Sequence, residues 1–287
     1  MHYIEAKGIL SKDNGINIYR GCTHGCIYCD SRSSCYNMQH AFEDIEVKIN
    51  APQLLEKALV SKRKKCIIST GSMCDPYLPV EKELKLTRNC LELINRYGFG
   101  AAVLTKSDLI LRDIDLLSEI NENAKTIVQI TMTTFDDKLC RIIEPNVCTT
   151  SGRFEILAEM KKKNIPTIAW LTPFLPYIND TDENLAGLLD YCAEAGVKGI
   201  ICFGIGLTLR DGNREYYYSA LDKHFPGLSE KYKKEFGYSY ECTSQNNSRL
   251  MRKLTEFCNK YGIMCNIDQC FEYMKEFPSK YEQLSFF

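Results

Sequence analysis

Three cysteines, Cys22, Cys26 and Cys29, lie within eight residues of one another, in a C-x3-C-x2-C spacing. Three thiolates on one short loop can bind three irons of a cubic [4Fe-4S] cluster, which leaves the fourth iron without a protein ligand. A cluster used only for electron transfer normally has four cysteine ligands, so this spacing predicts that a small molecule completes the coordination. S-adenosylmethionine (SAM), which can bind iron through its amino and carboxylate groups, is the candidate that the spacing indicates.

Zinc is the main alternative metal for this loop, because Cys35, His24 or His40 could supply a fourth ligand. Zinc sites usually combine two cysteine pairs of the C-x2-C type, whereas this loop has one such pair and an offset third sulfur. The spacing therefore favours a cluster over zinc. Cys35 is interpreted as a free thiol or a small apolar filler beside the loop.

The length and composition are those of a protein built around a large core. The chain has 287 residues, which accommodates an α/β barrel with a small addition, and it contains 15 cysteines. Its first residues lack the basic and apolar regions of a signal peptide, and no apolar run approaches the length of a membrane span. We therefore expect a cytoplasmic protein whose cysteines are reduced.

The charge pattern does not by itself indicate a nucleic-acid-binding protein. The formal net charge is −1, so any binding to nucleic acid would need a local basic patch. Two basic runs, at residues 62–65 and 161–163, each end a predicted helix. We interpret both as solvated helix C-termini, where positive charge is favoured by the helix dipole.

Short β-branched runs alternate with amphipathic helical stretches over most of the chain. The predicted strands are residues 15–19, 66–70, 101–105, 126–131, 166–171 and 199–203. The main predicted helices between them are residues 82–97, 109–120, 153–163 and 182–195. This alternation indicates a parallel sheet with helical crossovers, and six units fall short of a closed eight-stranded barrel. We therefore predict an α/β fold with a partial (βα)6 barrel.

The sequence predicts three segments of different character. Residues 1–212 form the partial barrel, with the cluster loop at residues 22–29. Residues 213–280 form a mostly helical C-terminal extension, in which residues 262–267 are interpreted as one more strand. Residues 281–287 form a C-terminal tail.

Polar residues directly after barrel strands are the candidate site residues, because the loops at that end carry the chemistry of such barrels. Ser72 and Cys74 follow the second strand, where Gly71 and Ser72 allow backbone carbonyls to approach the SAM amino group closely. Lys106 follows the third strand and suits a carboxylate or a ribose, although a solvated lysine has the same signature. Residues 171–176 after the fifth strand offer an apolar wall for adenine.

The fourth strand is followed by four further candidates, Thr131, Thr133, Glu144 and Arg153. Arg153 lies at the start of a predicted helix, where its charge opposes the helix dipole. We therefore expect Arg153 to have an anionic partner, which is either Glu144 or the SAM carboxylate.

The order of these motifs resembles the spore photoproduct lyase-like branch of the radical SAM superfamily, a branch described broadly as DNA repair photolyases. The resemblance covers about residues 10–210. It is carried by the three-cysteine loop, with Tyr28 at the aromatic position before the last cysteine, and by residues 74–77, 105–107, 143–145, 153 and 176–180.

The resemblance implies an enzyme that cleaves SAM to a 5′-deoxyadenosyl radical, which abstracts hydrogen from a DNA lesion or a modified base. Lys106 and Thr131 would contact SAM, and Tyr28 would lie at the reacting centre. In this branch a cysteine on the second-strand loop returns a hydrogen atom to the product. Here Ser72 falls at that position and Cys74 lies two residues on, so Cys74 is the candidate donor, with a buried inert cysteine as the alternative.

Two other functions remain open. A radical SAM enzyme could modify a peptide or protein side chain held by the C-terminal helices, whereas a non-catalytic iron-sulfur or zinc module would not cleave SAM. The last five residues, Gln283 to Phe287, resemble a tail that binds the bacterial sliding clamp, which favours a DNA substrate; a terminus folded back on the helices is the alternative. We also expect an electron donor such as flavodoxin or ferredoxin.

Overall fold

Strands occur along most of the chain in the computed structural model, which describes residues 1–278. In chain order they are β1 (His2–Ile4), β2 (Gly15–Ile16), β3 (Tyr19–Arg20), β4 (Glu46–Lys48), β5 (Ile67–Thr70), β6 (Gly100–Thr105), β7 (Thr126–Thr131), β8 (Thr167–Trp170), β9 (Gly199–Ile201), β10 (Gly206–Thr208) and β11 (Glu241–Thr243).

Helices separate most of these strands. They are α1 (Ala51–Ser61), α2 (Glu81–Leu84), α3 (Leu86–Arg96), α4 (Ile114–Asn123), α5 (Asp137–Ile143), α6 (Thr150–Lys162), α7 (Asp182–Ala195), α8 (Asn213–His224), α9 (Leu228–Phe236), α10 (Asn247–Tyr261) and α11 (Ile267–Lys275). Short 3-10 helices lie at Asp30–Arg32, Ser34–Tyr36 and Asp108–Asp113. None of the helices described is long and apolar enough to cross a membrane.

The central sheet has six strands in the order β2-β5-β6-β7-β8-β9, and each neighbouring pair is parallel. One face packs against the helices that connect the strands, so Val103, Val128 and Ile200 share a core with residues such as Leu117 and Leu188. Parallel strands in sequential order with helices on the outer face form an open barrel. The predicted partial (βα)6 barrel is confirmed.

The inner face of the sheet is divided along its length. At the amino-terminal end of the strands, α11 fills the interior, where Cys270 and Met274 pack against apolar residues of five strands: Ile67, Ala102, Ile127, Ile168 and Ile201. Side chains two or four residues further along a strand point to the same face. Leu104, Thr131 and Trp170 therefore face inward above α11, at the carboxyl-terminal end of the sheet.

Two predicted elements are interrupted. The strand predicted at residues 15–19 is two strands, because β2 pairs with β5 whereas β3 pairs with β4 in a separate three-stranded sheet. The helix predicted at residues 82–97 breaks at Lys85, which has a φ of 52°. The buried Glu81 carboxylate accepts the backbone N–H of Thr87 at 3.1 Å and so satisfies a donor in the first turn of α3.

The C-terminal region contains elements that local sequence patterns do not reveal. β10 and β11 pair antiparallel although 32 residues lie between Thr208 and Glu241, as their bounds show. The strand expected at residues 262–267 is a single bridge from Met264 to Gly199, followed directly by α11.

The C-terminal helix α10 shares the core of the barrel helices. Leu250, Leu254 and Cys258 of α10 belong to the same apolar cluster as the barrel helices, whereas Tyr217 and Tyr232 of α8 and α9 belong to a second cluster. The division of the chain at residue 212 stays a prediction.

Candidate active site

A cavity of about 840 Å³ lies at the carboxyl-terminal ends of the barrel strands. The loop that carries Cys22, Cys26 and Cys29 forms one side, and the loops after β5, β6 and β8 form another. Backbone and side chains of the β10–β11 pair complete the wall. Five of the residues predicted from strand ends and from the cysteine loop line this cavity together with the cysteines: Tyr28, Ser72, Cys74, Lys106 and Thr131.

The cysteine loop is held by backbone hydrogen bonds at both ends. The N–H of Cys22 donates to Phe42 O at 2.9 Å, and the N–H of Ile27 donates to Ile143 O at 3.0 Å. Gly21 precedes the loop with a φ of 84°, and a Cβ there would lie 2.6 Å from Phe42 O. Only glycine fits this approach, so the position of Cys22 depends on the contact between Gly21 and the turn at Phe42.

The spacing of the three thiols fits a cluster better than a single zinc ion. Three sulfurs around one zinc lie about 3.8 Å apart, given a Zn–S distance of about 2.3 Å. Among the described residues, the only three metal-type ligand atoms within 4.8 Å of one another belong to His2, His40 and Asp44. The three loop sulfurs are therefore not all within that distance of one another, and their sequence spacing suits separate iron atoms of a [4Fe-4S] cluster.

The cysteine loop lies in a poorly solvated environment. Burial raises the pKa of Cys22 to about 12 and raises the pKa of Cys26 well above its ordinary value. Both thiols are therefore protonated unless a metal takes up the thiolate charge, so metal binding here releases protons.

The loop after β5 brings Cys74 against the cysteine loop. Gly71 has a φ of 102°, and a Cβ there would lie 2.0 Å from Leu104 O, so the chain passes this point only as glycine. The Cys74 thiol donates to Gly21 O at 2.8 Å, and burial raises its pKa well above the ordinary value. Cys74 is therefore a neutral S–H group in the wall of the cavity.

Asp75 joins the loops on this side of the cavity. Its carboxylate accepts the hydroxyl of Thr105 at 2.7 Å and the backbone N–H of Lys106 at 2.9 Å. The imidazole Nδ1 of the buried His24 lies 3.6 Å from the same carboxylate. The loops after β5 and β6 and the cysteine loop are thus held to one another through a single acidic side chain.

Lys106 provides a positive charge in the cavity. Its ammonium nitrogen lies 6.0 Å from the centre of the Tyr28 ring. Burial lowers the pKa of Lys106, but the acidic groups of Cys26 and Glu144 raise it more, so the net pKa lies above 10.5. Lys106 is the only lysine or arginine lining the cavity within the part of the chain that the structure describes.

Glu144 and Arg153 form a buried ion pair behind the cavity wall. Arg153 Nη2 donates to Glu144 Oε2 at 2.7 Å, and both side chains are fully buried. The remaining guanidinium nitrogens donate to the carbonyls of Thr131 at 2.9 Å and Cys148 at 3.0 Å. Burial raises the pKa of Glu144, but the positive charges of Arg153 and Lys106 lower it by a larger amount, so its net pKa lies below 4.5.

This pair positions Tyr28. The Tyr28 hydroxyl donates to Glu144 Oε1 and lies 3.1 Å from the hydroxyl oxygen of Thr133. Thr133, Glu144 and Arg153 are absent from the cavity lining within the described residues and lie behind Tyr28 and Thr131. The structure therefore places five of the predicted residues at the cavity surface and these three in the layer that supports them.

Several cavity residues escaped the sequence analysis. Phe203 and Trp170 follow the inward-facing positions of β9 and β8, and their rings lie 5.8 Å apart. The alternation of inward- and outward-facing residues along a strand could have indicated both residues as part of the cavity. Tyr240 reaches the cavity through the β10–β11 pair, for which the sequence carries no local signal. Of the predicted apolar wall, Thr172 and Pro173 line the cavity, whereas Leu171, Phe174 and Leu175 are buried.

Comparison with known proteins matches residues 16–192 to a family model described as "Radical SAM superfamily". The chain is 28% identical over 255 residues to the uncharacterized protein Rv2578c of Mycobacterium tuberculosis, over 86% of this chain and 74% of that protein.

Two solved structures have a similar fold. Spore photoproduct lyase complexed with dinucleoside spore photoproduct matches with a TM-score of 0.62 and 14% identity, covering 89% of this chain and 76% of that one. SuiB of Streptococcus suis bound to the precursor peptide SuiA matches with a TM-score of 0.51 and 14% identity, covering 88% of this chain and 47% of that one. At these identities the similarity to solved structures establishes the fold alone.

Proposed function

The chain belongs to the radical SAM superfamily, as its three-cysteine loop predicted, and we propose that it acts on DNA carrying a lesion or a modified base. Its cofactors are a [4Fe-4S] cluster and SAM. We assign Cys22, Cys26 and Cys29 as the cluster ligands, because all three lie on one short loop and line the cavity. When bound, the cofactors supply a 5′-deoxyadenosyl radical that abstracts hydrogen from the substrate.

In this proposal the residues at the strand ends bind and orient SAM. The protonated Lys106 pairs with the SAM carboxylate, and Ser72 and Thr131 offer hydroxyl and backbone groups on either side. Thr133, Glu144 and Arg153, which the sequence indicated as candidate residues of the cofactor site, act by fixing Tyr28 and the carbonyl of Thr131. Tyr28 then presents its ring to the cavity beside the cluster ligands.

Cys74 returns a hydrogen atom to the substrate radical in this proposal. The S–H bond breaks, the hydrogen atom passes to the radical carbon and a thiyl radical remains on Cys74. An electron from a donor such as flavodoxin or ferredoxin, together with a proton, restores the thiol. The neutral thiol in the cavity wall supports this role, because a thiolate has no hydrogen to give.

The observation that carries the choice of DNA is the set of aromatic side chains around the cavity. Phe203 is 59% exposed and Tyr240 is 44% exposed, although both line a concave site, and Trp170 and Tyr36 stand beside them. Base stacking on aromatic rings stabilises single-stranded nucleic acid by about 1 to 3 kcal/mol per base. Arg210, whose guanidinium carbon lies 4.9 Å from the centre of the Tyr240 ring, adds a positive charge at the rim.

The proposal is tested with anaerobically reconstituted protein, SAM and dithionite. Single-stranded oligonucleotides with damaged or modified pyrimidines and a set of peptides are each added, and both products and 5′-deoxyadenosine are measured by mass spectrometry. We expect an altered oligonucleotide mass and a substrate-dependent rise in 5′-deoxyadenosine. Tyr240→Ala should weaken this response, whereas Tyr238→Ala, which changes a tyrosine outside the cavity lining, should not.

A peptide substrate is the second candidate, and one observation favours it. β10 and β11 both line the cavity and form a two-stranded pair within the described residues. An extended peptide can add to such an edge through main-chain hydrogen bonds. A mass change in a peptide, with none in any oligonucleotide, would establish this alternative and reject the DNA proposal.

We also propose that Gln283 to Phe287 bind the sliding clamp; these residues lie outside the described part of the chain. Burying Leu284, Phe286 and Phe287 would contribute about 5 to 9 kcal/mol before costs, at about 1.5 to 3 kcal/mol each. Ordering costs about 1 to 2 kcal/mol per residue, so we expect weak, transient binding. A synthetic peptide of these five residues is titrated against purified clamp, and no binding at high micromolar concentration would reject the proposal.

A further inference from the structure

A group of histidine and carboxylate side chains lies outside the cavity, at the edge of the small sheet formed by β1, β4 and β3. His2, His40 and Asp44 each place one ligand atom within 4.8 Å of the ligand atoms of the other two. His2 Nδ1 lies 2.9 Å from Asp44 Oδ2, and the rings of His2 and His40 meet edge to face at 4.8 Å. Two segments of the chain that are distant in sequence thus meet at one point.

His40 has one nitrogen that is free for a ligand. Its Nδ1 donates to the carbonyl of Ala41 at 3.0 Å, which leaves the lone pair on Nε2. Nε2 is shielded from solvent and has no hydrogen-bond partner in the described residues. A backbone carbonyl that fixes the tautomer of an imidazole is the usual arrangement behind a metal-binding histidine.

Glu46 offers a fourth ligand beside this nitrogen. Its Oε2 lies 3.8 Å from His40 Nε2, and in the parallel pairing of β1 with β4 Glu46 stands opposite His2. Its side chain is 15% exposed, and within the described residues it accepts no hydrogen bond. A largely shielded carboxylate beside an imidazole nitrogen is stabilised by a positive charge between them, either a proton or a bound cation.

We propose that His2, His40, Asp44 and Glu46 form a binding site for a divalent transition cation of the zinc class. Two neutral imidazoles and two carboxylates supply four ligands for one divalent ion, and the Asp44 carboxylate also pairs with the N-terminal ammonium of Met1 at 2.6 Å. Zinc takes such nitrogen and oxygen ligands in tetrahedral geometry, and four protein ligands close the coordination sphere. The site is therefore structural rather than catalytic.

The position of this site connects it to the cysteine loop. His40 directly precedes the turn at residues 41–44, and Asp44 ends it, with its N–H donating to Ala41 O at 2.9 Å. The same turn presents Phe42 O, which accepts the N–H of Cys22 and lies against Gly21. A cation bound at His2, His40, Asp44 and Glu46 therefore fixes the turn that positions the first cysteine of the loop.

The test measures zinc in the full chain produced without a polyhistidine tag. The protein is studied as reconstituted holoprotein and as a Cys22→Ala, Cys26→Ala, Cys29→Ala variant, in which the cysteine loop cannot bind zinc. Metal content is measured by mass spectrometry after dialysis, and affinity is measured by competition with a chromogenic chelator. We expect about one zinc per chain in both forms.

Substitutions then locate the zinc. His40→Gln and Asp44→Asn should each weaken zinc affinity by more than about 100-fold. Changes to groups that only position a metal ligand typically weaken metal affinity by about 10- to 100-fold, so a larger loss indicates a direct ligand. His224→Gln, which changes an exposed histidine of α8, should leave zinc binding unchanged. In the Cys22→Ala, Cys26→Ala, Cys29→Ala background, cobalt should give the visible absorption of four-coordinate Co²⁺ without a thiolate charge-transfer band.

Two results would overturn the proposal. The first is absence of zinc from the triple cysteine variant at micromolar free zinc. The second is the same zinc content in folded His40→Gln and Asp44→Asn proteins as in the parent, with folding checked by circular dichroism.

Discussion

At the scale of single residues, the cavity is organised around the charge of Lys106. A charge-assisted hydrogen bond contributes about 1.5 to 3 kcal/mol, so Lys106→Met should weaken SAM binding by about 10- to 150-fold. Anaerobic calorimetric titration measures this change. Lys82→Met is the matched control, because Lys82 lines a separate, smaller pocket beyond His24. Equal affinities of the two variants would contradict a contact between Lys106 and the SAM carboxylate.

The cluster assignment makes a prediction about iron. The Cys22→Ala, Cys26→Ala, Cys29→Ala variant should lose nearly all iron and the broad visible absorption of a cluster after anaerobic reconstitution, because no ligands remain. Cys35→Ala should retain both, since Cys35 is exposed and lies outside the cavity lining in the described residues. Full iron content in the triple variant would show that the cluster binds elsewhere.

Cys74 is expected to affect the fate of the substrate radical and not its formation. Cys74→Ala should leave the rate of SAM cleavage nearly unchanged, while the product shifts to species that have taken hydrogen or another group from solution. Liquid chromatography with mass spectrometry gives the product distribution. Cys90→Ala, which changes another buried cysteine of the same apolar cluster, is the control. An unchanged product distribution would assign Cys74 a packing role.

The residues of the site differ in how far sequence reveals them. The cysteine spacing indicates a metal site directly, because three ligands close in sequence are close in space. The sequence left two candidate partners for Arg153, which were Glu144 and SAM. It could not decide between them, because the end of α5 meets the start of α6 only in the folded chain. Phe203 and Tyr240 carry no motif, since an exposed aromatic residue acquires a meaning only when it lines a cavity.

At the scale of elements, the pair of Glu144 and Arg153 joins the end of α5 to α6 and to the carbonyl of Thr131 at the end of β7. Glu144→Gln leaves a buried guanidinium without its counter-charge, which typically costs about 3 to 5 kcal/mol. We expect a loss of that size in the free energy of unfolding, measured by urea denaturation. Glu159→Gln, in an exposed pair with Lys162, should change it by less than about 1 kcal/mol.

The stability that the pair of Glu144 and Arg153 contributes depends on pH in a defined direction. Because the folded-state pKa of Glu144 lies below its ordinary value of 4.5, its contribution to stability is present above pH 4.5 and is lost as the pH falls through the folded pKa. The stability difference between the parent and Glu144→Gln should therefore shrink in acid. A difference that stays constant from pH 7 to below the folded pKa would contradict this account.

Elements with strong local patterns were predicted well. The strand at residues 126–131 and the helix at residues 182–195 have the predicted bounds, because a buried strand and an amphipathic helix show their periods in sequence. The split of residues 15–19 follows from a change of partner, as β2 joins the barrel and β3 joins β4. The β10–β11 pair depends on a contact across a long segment, which no local period encodes.

At the scale of the whole molecule, the charge distribution predicts how DNA would bind. The formal net charge is −1, and the cavity contains one lysine among the described residues, with Arg210 at its rim. Because the proposal pairs Lys106 with the SAM carboxylate, Arg210 leaves about one phosphate contact, and the logarithm of the binding constant should change with the logarithm of salt concentration by a slope of about −0.7. Fluorescence anisotropy with a labelled single strand measures this slope.

A variant at the rim separates stacking from charge. Arg210→Gln should reduce the magnitude of the salt-dependence slope by about 0.7. Tyr240→Ala should weaken binding of the strand but leave this slope unchanged. A slope steeper than about −4 would mean that an extended basic surface binds the strand and that the aromatic cavity is not the main contact.

The position of α11 inside the barrel also determines the order in which ligands enter and leave the cavity. Because Cys270 and Met274 fill the barrel at the amino-terminal end of its strands, the cavity is reached from the opposite end, where the aromatic rim would receive the strand. A bound strand would therefore cover the opening through which SAM had entered. If the strand is DNA, as proposed, we expect the adenosine fragment to depart only after the strand has dissociated, so that the enzyme acts distributively and releases the strand after each turnover.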